Sequence, residues 1–135
     1  MLYYNSSGEK TNTFRVGQEI YVKISFEIKK PLDGVTTSYI DIGVNNENSQ
    51  RVAWLSSKVF KKTLDYEKKE LIIKIPQMML NQGSYDVNLH CATNFGVSDW
   101  LKNVGHFDVV FDDYFKTGIN IPDSQGSSIL NFEVV

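Results

Sequence analysis

Glu19-Ile20-Tyr21-Val22-Lys23-Ile24-Ser25-Phe26-Glu27-Ile28-Lys29 puts Ile20, Val22, Ile24, Phe26 and Ile28 on one phase and Tyr21, Lys23, Ser25, Glu27 and Lys29 on the other. Successive side chains of an extended chain point to opposite faces. This period of two therefore predicts a strand over 19–29 with one buried and one wet face. Pro31-Leu32-Asp33-Gly34 supplies turn residues after it.

The same alternation recurs downstream. Ile40, Ile42 and Val44 stand against Tyr39, Asp41 and Gly43, and 45–50 reads as a polar turn before a shorter strand over 51–57. Leu71, Ile73 and Ile75 alternate until Pro76, which cannot donate to a ladder. Tyr85, Val87, Leu89 and Cys91 stand against Ser84, Asp86, Asn88 and His90, and Phe107, Val109 and Phe111 against His106, Asp108 and Val110. Short strands are expected at 2–4 and 11–15, one helical turn at 76–81, and a last strand over 129–135. No segment has sustained helical periodicity with caps. Many short strands between Gly, Asn, Asp and Pro turns predict one all-β domain over 1–135. Its expected form is an immunoglobulin-like antiparallel β-sandwich, with a jelly-roll-like arrangement as the alternative. Gln82-Gly83-Ser84-Tyr85 reads either as a tyrosine corner or as a turn glycine before a core aromatic. Both readings support a sandwich.

Composition excludes several function classes. Net charge is −2 and the Lys pairs are scattered among acids, so neither nucleic acid nor an anionic membrane is an expected partner. No apolar run approaches the roughly 20 residues of a membrane helix, and no signal-peptide-like leader is read. The single cysteine, Cys91, excludes an intrachain disulfide and reads as a small buried hydrophobe, in keeping with a reducing compartment.

Catalytic groups are few. His90 and Cys91 are adjacent on a strand and so face opposite ways, which precludes a Cys–His couple there. There is no nucleophile elbow, no His-Glu-x-x-His, no Cys-x-x-Cys and no phosphate loop. Asp112, Asp113 and Asp123 lack calcium-loop spacing and read as solvated turn acids. A binding domain with no enzymatic activity, no cofactor and no metal is the expectation.

The wet strand phase is the candidate binding surface. A hairpin closed by a long loop over 92–104 would set His90 opposite His106 and Asn88 opposite Asp108, with Leu89 opposite Phe107 and Val87 opposite Val109 beneath. Sugar recognition needs hydrogen-bonding side chains for hydroxyls and an aromatic face for the apolar side of a pyranose. Asp86, Asn88, His90, His106 and Asp108 offer the first, and Tyr39, Trp54 and Trp100 the second. Outer-face Asp and Asn are ordinarily just solvated. Trp54 reads as core ahead of ligand platform. Trp100, in the polar stretch Ser98-Asp99-Trp100-Leu101-Lys102, reads as an exposed loop residue.

Three stretches carry a resemblance. They are Phe14-Arg15-Val16-Gly17-Gln18-Glu19-Ile20, then Ile75-Pro76 with Leu80-Asn81-Gln82-Gly83-Ser84-Tyr85, then Phe107-Asp108-Val109-Val110 with Asp112-Asp113-Tyr114-Phe115-Lys116-Thr117-Gly118. Together they resemble the C-terminal polysaccharide-binding domain of Wzt-type proteins, the ATP-binding subunits of ABC exporters for lipopolysaccharide O-antigen. Tyr114 stands where that pattern has Phe, Lys116 where Gly is common, and the chain lacks the frequent aromatic ending.

The resemblance implies a sandwich that recognises O-antigen polysaccharide, often at its modified non-reducing end, before export. It implies ABC transporter subunits as partners, on the cytoplasmic side of the bacterial inner membrane. It also implies a nucleotide-binding domain, absent from this chain, so that the chain would begin at a linker. The long tether over 112–128 before the last strand predicts a homodimer with exchanged C-terminal strands. Competing readings are a protein-interaction or adhesin-type sandwich, which needs an exposed apolar patch, and a glycoside hydrolase fragment built on paired carboxylates such as Asp86 and Asp108.

Overall fold

The computed structural model describes residues 1–26, 34–35, 38–64 and 68–135, with only the backbone at 97–100 and 102–103. The expected strand over 19–29 is ordered as β3 (Ile20–Ser25), and its far end lies outside the described residues. The other strands are β1 (Leu2–Asn5), β2 (Thr13–Arg15), β4 (Ser38–Asn45), β5 (Arg51–Ser56), β6 (Glu70–Ile75), β7 (Gly83–Thr93) and β8 (Gly96–Val110). Two short 3₁₀ turns, η1 (Ser57–Phe60) and η2 (Asp123–Gln125), are the helical elements among the described residues.

The strands form two sheets, β1-β3-β6 and β2-β8-β7-β4-β5. All pairings are antiparallel except β2 with β8, which is parallel. The chain thus changes sheet between β1 and β2. The apolar phases meet between the layers. Ile20, Val22 and Ile24 from one sheet face Ile40, Ile42, Val44, Tyr85, Val87, Phe107 and Val109 from the other, all buried. Tyr3, Phe14 and Phe107 pack with ring centroids 5.7–5.9 Å apart, and Tyr85 stacks on Phe107 at 5.3 Å. Burying such rings removes large apolar areas from water and dominates the core's stabilisation.

Asparagine side chains close two of the turns. Asn5 Oδ1 accepts from the N–H groups of Ser7 and Glu9, and Asn46 Oδ1 from those of Asn48 and Gln50. Each carboxamide stands in for a backbone acceptor where the ladder stops. The tyrosine corner is present: the buried Tyr85 hydroxyl donates to the Asn81 carbonyl at 2.6 Å. Burial pushes its pKa up to about 12, with the Glu47 and Asp123 carboxylates adding to the rise.

The stretches that carry the resemblance converge at one end of the sandwich. Gly17, at φ +84°, lies under the Tyr114 ring; a Cβ there would stand 2.5 Å from Tyr114 Cδ2. Gly17 N–H donates to the Met78 carbonyl, and Met78 N–H to that of Gln18. Asp113 accepts from the N–H groups of Thr117 and Gly118, closing the loop after β8. The buried Asn81 side chain donates to the carbonyls of Pro122 and Gly126.

Several expectations are corrected. The stretch 92–104 is not a loop: β7 and β8 run on to a turn at Asn94 and Phe95, with Thr93 opposite Gly96. Gly96 accommodates this tight closure at φ +107°. With register shifts between Cys91 and Ala92 and between Val87 and Leu89, the ladder sets Asp86 opposite His106, Ser84 opposite Asp108, Tyr85 opposite Phe107 and His90 opposite Trp100. Trp100 is therefore a strand residue, not a loop residue. The stretch 76–81 is extended and bent rather than helical, because Met78 and Leu80 bond across to neighbouring segments. Residues 129–135 form no strand. Ser128 makes one isolated bridge with Leu80 and Ile129 N–H donates to Met79, after which no partner edge is offered. Cys91 is half-buried against the core rather than fully buried.

Candidate functional site

The outer face of the five-stranded sheet collects the wet phases of its strands. Gly43 is a useful centre, since it pairs with Trp54 of β5 on one side and Asn88 of β7 on the other. Asp41 pairs with Ser56 and His90, and Asn45 with Arg51 and Asp86. Tyr39, half-buried, pairs with Ala92 toward the hairpin end. Backbone pairing also brings Trp100 beside His90; its side chain lies outside the described residues. Trp54 is 52% exposed, contrary to its reading as core, because β5 is the edge strand of its sheet and Trp54 pairs with Gly43 on the outward phase.

Two charged clusters organise this face. In the first, His106 Nδ1 lies 3.1 Å from Asp86 and Nε2 lies 3.0 Å from Asp108, whose same oxygen accepts from the Ser84 hydroxyl at 2.6 Å. Both ring nitrogens face acceptors, which only the imidazolium satisfies as a double donor. The hydrogen bond to Asp86, then those to Asp108, hold the His106 pKa above its ordinary value against an opposing effect of desolvation. The Ser84 hydroxyl, then His106, hold Asp108 below its own. In the second cluster, His90 Nδ1 lies 3.1 Å from Asp41 Oδ2, while Asp41 Oδ1 accepts from Ser56 Oγ.

These groups form a wall of fixed acceptors and donors with an aromatic side chain at its edge, suited to holding hydroxyls without breaking bonds. The face continues past Ser84 into a polar cleft of about 220 Å³ lined by Asn46, Glu47, Asn48, Asp123 and Ser127. No group of three or more metal-ligating side chains occurs among the described residues. The opposite sheet's outer face instead pairs its own charges, Lys23 with Glu70 at 3.0 Å and Lys74 with Glu19 at 3.6 Å.

Residues 2–121 match the sequence profile of the family described as the Wzt C-terminal domain. The chain belongs to that family. A crystal structure of the C-terminal domain of Wzt superposes with a TM-score of 0.68 over 99% of this chain and 79% of that one. Identity is 9%, so this likeness is one of fold. No curated protein matches the chain. The Wzt C-terminal domain family has a carbohydrate-binding role in O-antigen transporters generally, as a non-catalytic domain of the ATP-binding subunit. No helix among the described residues is long and apolar enough to cross a membrane.

Sequence reasoning missed Asp41, Ser56, Ser84 and Arg51 as members of this surface. Asp41, Ser84 and Ser56 were legible, since they share the phase of Tyr39, of Asp86 and of Trp54. Arg51 was not, because the register shift in the β4–β5 pair breaks simple alternation before it.

Proposed function

We propose that this Wzt C-terminal domain binds O-antigen polysaccharide on the outer face of its five-stranded sheet, engaging the non-reducing end before export. The observation that carries the reading is the Asp41, Asp86, Asn88, His90, His106 and Asp108 wall beside the exposed ring of Trp54. Carboxylates and imidazoles read hydroxyls, and the indole provides a stacking face. Tyr39 extends the same surface toward the hairpin, where the backbone of Trp100 pairs with that of His90. The domain works as part of an ABC transporter, on the cytoplasmic side of the inner membrane. The test is calorimetric titration with O-polysaccharides of defined terminus. Trp54→Ala and His106→Ala are expected to weaken binding about tenfold or more while the fold persists. Unchanged affinity in both variants would remove the face as the site, and equal affinity for end-blocked chains would remove the terminal reading.

The domain further works as a homodimer through exchange of its C-terminal segments. Support comes from Leu130, Phe132 and Val134, which are exposed in the single chain and make no strand there. Mass in solution should exceed that of one chain and revert to it on truncation after Ser128; a monomer at every concentration sinks this part.

One observation favours a protein-docking role as a second reading. A groove of about 500 Å³ between the free edges of β5 and β6 exposes Val59, Phe60 and Ile72. Apolar patches of this kind mark interaction sites.

A further inference from the structure

Gly43 is the one position on the wet phase of β4 without a side chain, and it is nevertheless buried. What covers it is Arg51. A Cβ on Gly43 would meet the Arg51 Cζ, with Nη2 at 2.6 Å and Nη1 at 2.7 Å. Such similar distances to all three atoms mean that the guanidinium plane lies flat over the Gly43 backbone. Its Nε donates to Asn45 Oδ1 at 2.9 Å, which fixes the rotation of the group. Among the described residues Nη1 and Nη2 meet no acceptor. The cation is therefore oriented, has one face against the sheet and keeps the paired Nη edge for a ligand.

We propose that Arg51 forms a subsite for an anionic substituent of the bound glycan, a sugar carboxylate or phosphate ester, resting on the reading of this face as the polysaccharide site. The paired Nη donors match two oxygens of one anion, and such charge-assisted bidentate contacts are about twice as strong as neutral ones. Elsewhere the wall repels an anion: Asp41, Asp86 and Asp108 are acceptors when ionised, and both His106 nitrogens are engaged by carboxylates. Trp54, directly opposite Gly43, stands where the ring bearing that anion would stack. The face thus divides into an acceptor region that reads hydroxyls and a donor corner that reads charge. Gly43 is the positioning residue of that corner, since any side chain there would lift the guanidinium away.

The experiment measures affinity for four probes: a uronate-containing polysaccharide, its carboxyl-reduced form, a mannan phosphate monoester, and the same mannan after phosphatase. The wild-type domain should prefer at least one charged probe to its neutral partner by about tenfold. The arm that shows the preference tells carboxylate from phosphate. Arg51→Gln should abolish the preference while binding of the neutral partner persists, and Arg51→Lys should retain part of it. Gly43→Ala should reduce it with the charge still present. Thermal unfolding confirms that each variant is folded. The inference is overturned, with the site reading intact, if charged and neutral probes bind alike or if Arg51→Gln keeps the wild-type ratio. Binding of none of the four probes overturns the site reading as well.

Discussion

The end of the sandwich that carries Gly17, Met78, Asn81, Asp113 and Tyr114 differs in kind from the outer face that carries Asp86, His106 and Trp54. At the first, each polar group is spent on another part of the chain: Asn81 on Pro122 and Gly126, Asp113 on Thr117 and Gly118, Gly17 on Met78. At the second, polar groups pair laterally but keep solvent-facing surface, and Trp54 and Arg51 remain exposed. The residues that carry the family resemblance concentrate in the first region, which folds the domain, although Ser84 and Asp108 belong to both. The other candidate ligand groups lie in the second. A sequence resemblance therefore reports the scaffold, and the ligand must be argued from the face.

Substitutions can sharpen or break this contrast. Phe14→Ala should have the largest effect, because the ring is fully buried between Tyr3 and Phe107. A loss of about 3–5 kcal/mol is expected in denaturant unfolding. Gly17→Ala should follow at about 1–3 kcal/mol, since it strains φ +84° and drives a Cβ into Tyr114. Gly17→Ala should cost less in a Tyr114→Ala background than in the wild type, and an equal cost in both refutes the contact. Tyr85→Phe should cost about 1 kcal/mol by removing the donor to Asn81, read as a lower melting temperature. None of these three should alter glycan affinity of the folded fraction.

The smallest effect on stability, and the one on the opposite side of the contrast, concerns His106. Its raised pKa means that its contribution is fully present below the ordinary 6.5 and fades as pH climbs through the higher folded-state value. Asp108 acts in the other direction. Its contribution is present above the ordinary carboxylate range and is lost as pH falls through the lowered value. An NMR titration should find the His106 ring titrating above 6.5, and Asp86→Asn should bring it down. A ring that titrates at or below its ordinary value contradicts the two-carboxylate geometry. Under the glycan reading, affinity changes through the same pH window while the melting temperature moves little.

Much of the fold was legible because burial writes itself into alternation. Ile40-Asp41-Ile42 and Tyr85-Asp86-Val87 name their own inner and outer faces before any coordinate is known. The hairpin register was not legible in the same way. Shifting it by an even number of residues leaves every side chain on its face, so alternation alone accepts His106 opposite His90 as readily as opposite Asp86. The turn at Asn94 and Phe95, together with register shifts between Cys91 and Ala92 and between Val87 and Leu89, decided the matter. The strand character of 129–135 misled for a related reason, since β propensity becomes a strand only where a neighbouring edge offers a ladder.

By itself the sequence determined an all-β sandwich, the assignment of side chains to core or solvent in most strands, and the family. Phase and turn chemistry are local properties that a linear pattern can record. Tertiary structure alone decided which wet residues meet: His106 between Asp86 and Asp108, Asp41 between His90 and Ser56, Arg51 over Gly43. Those meetings depend on strand order, register and the irregularities in the β4–β5 and β7–β8 pairs. None of these is a property of any one segment.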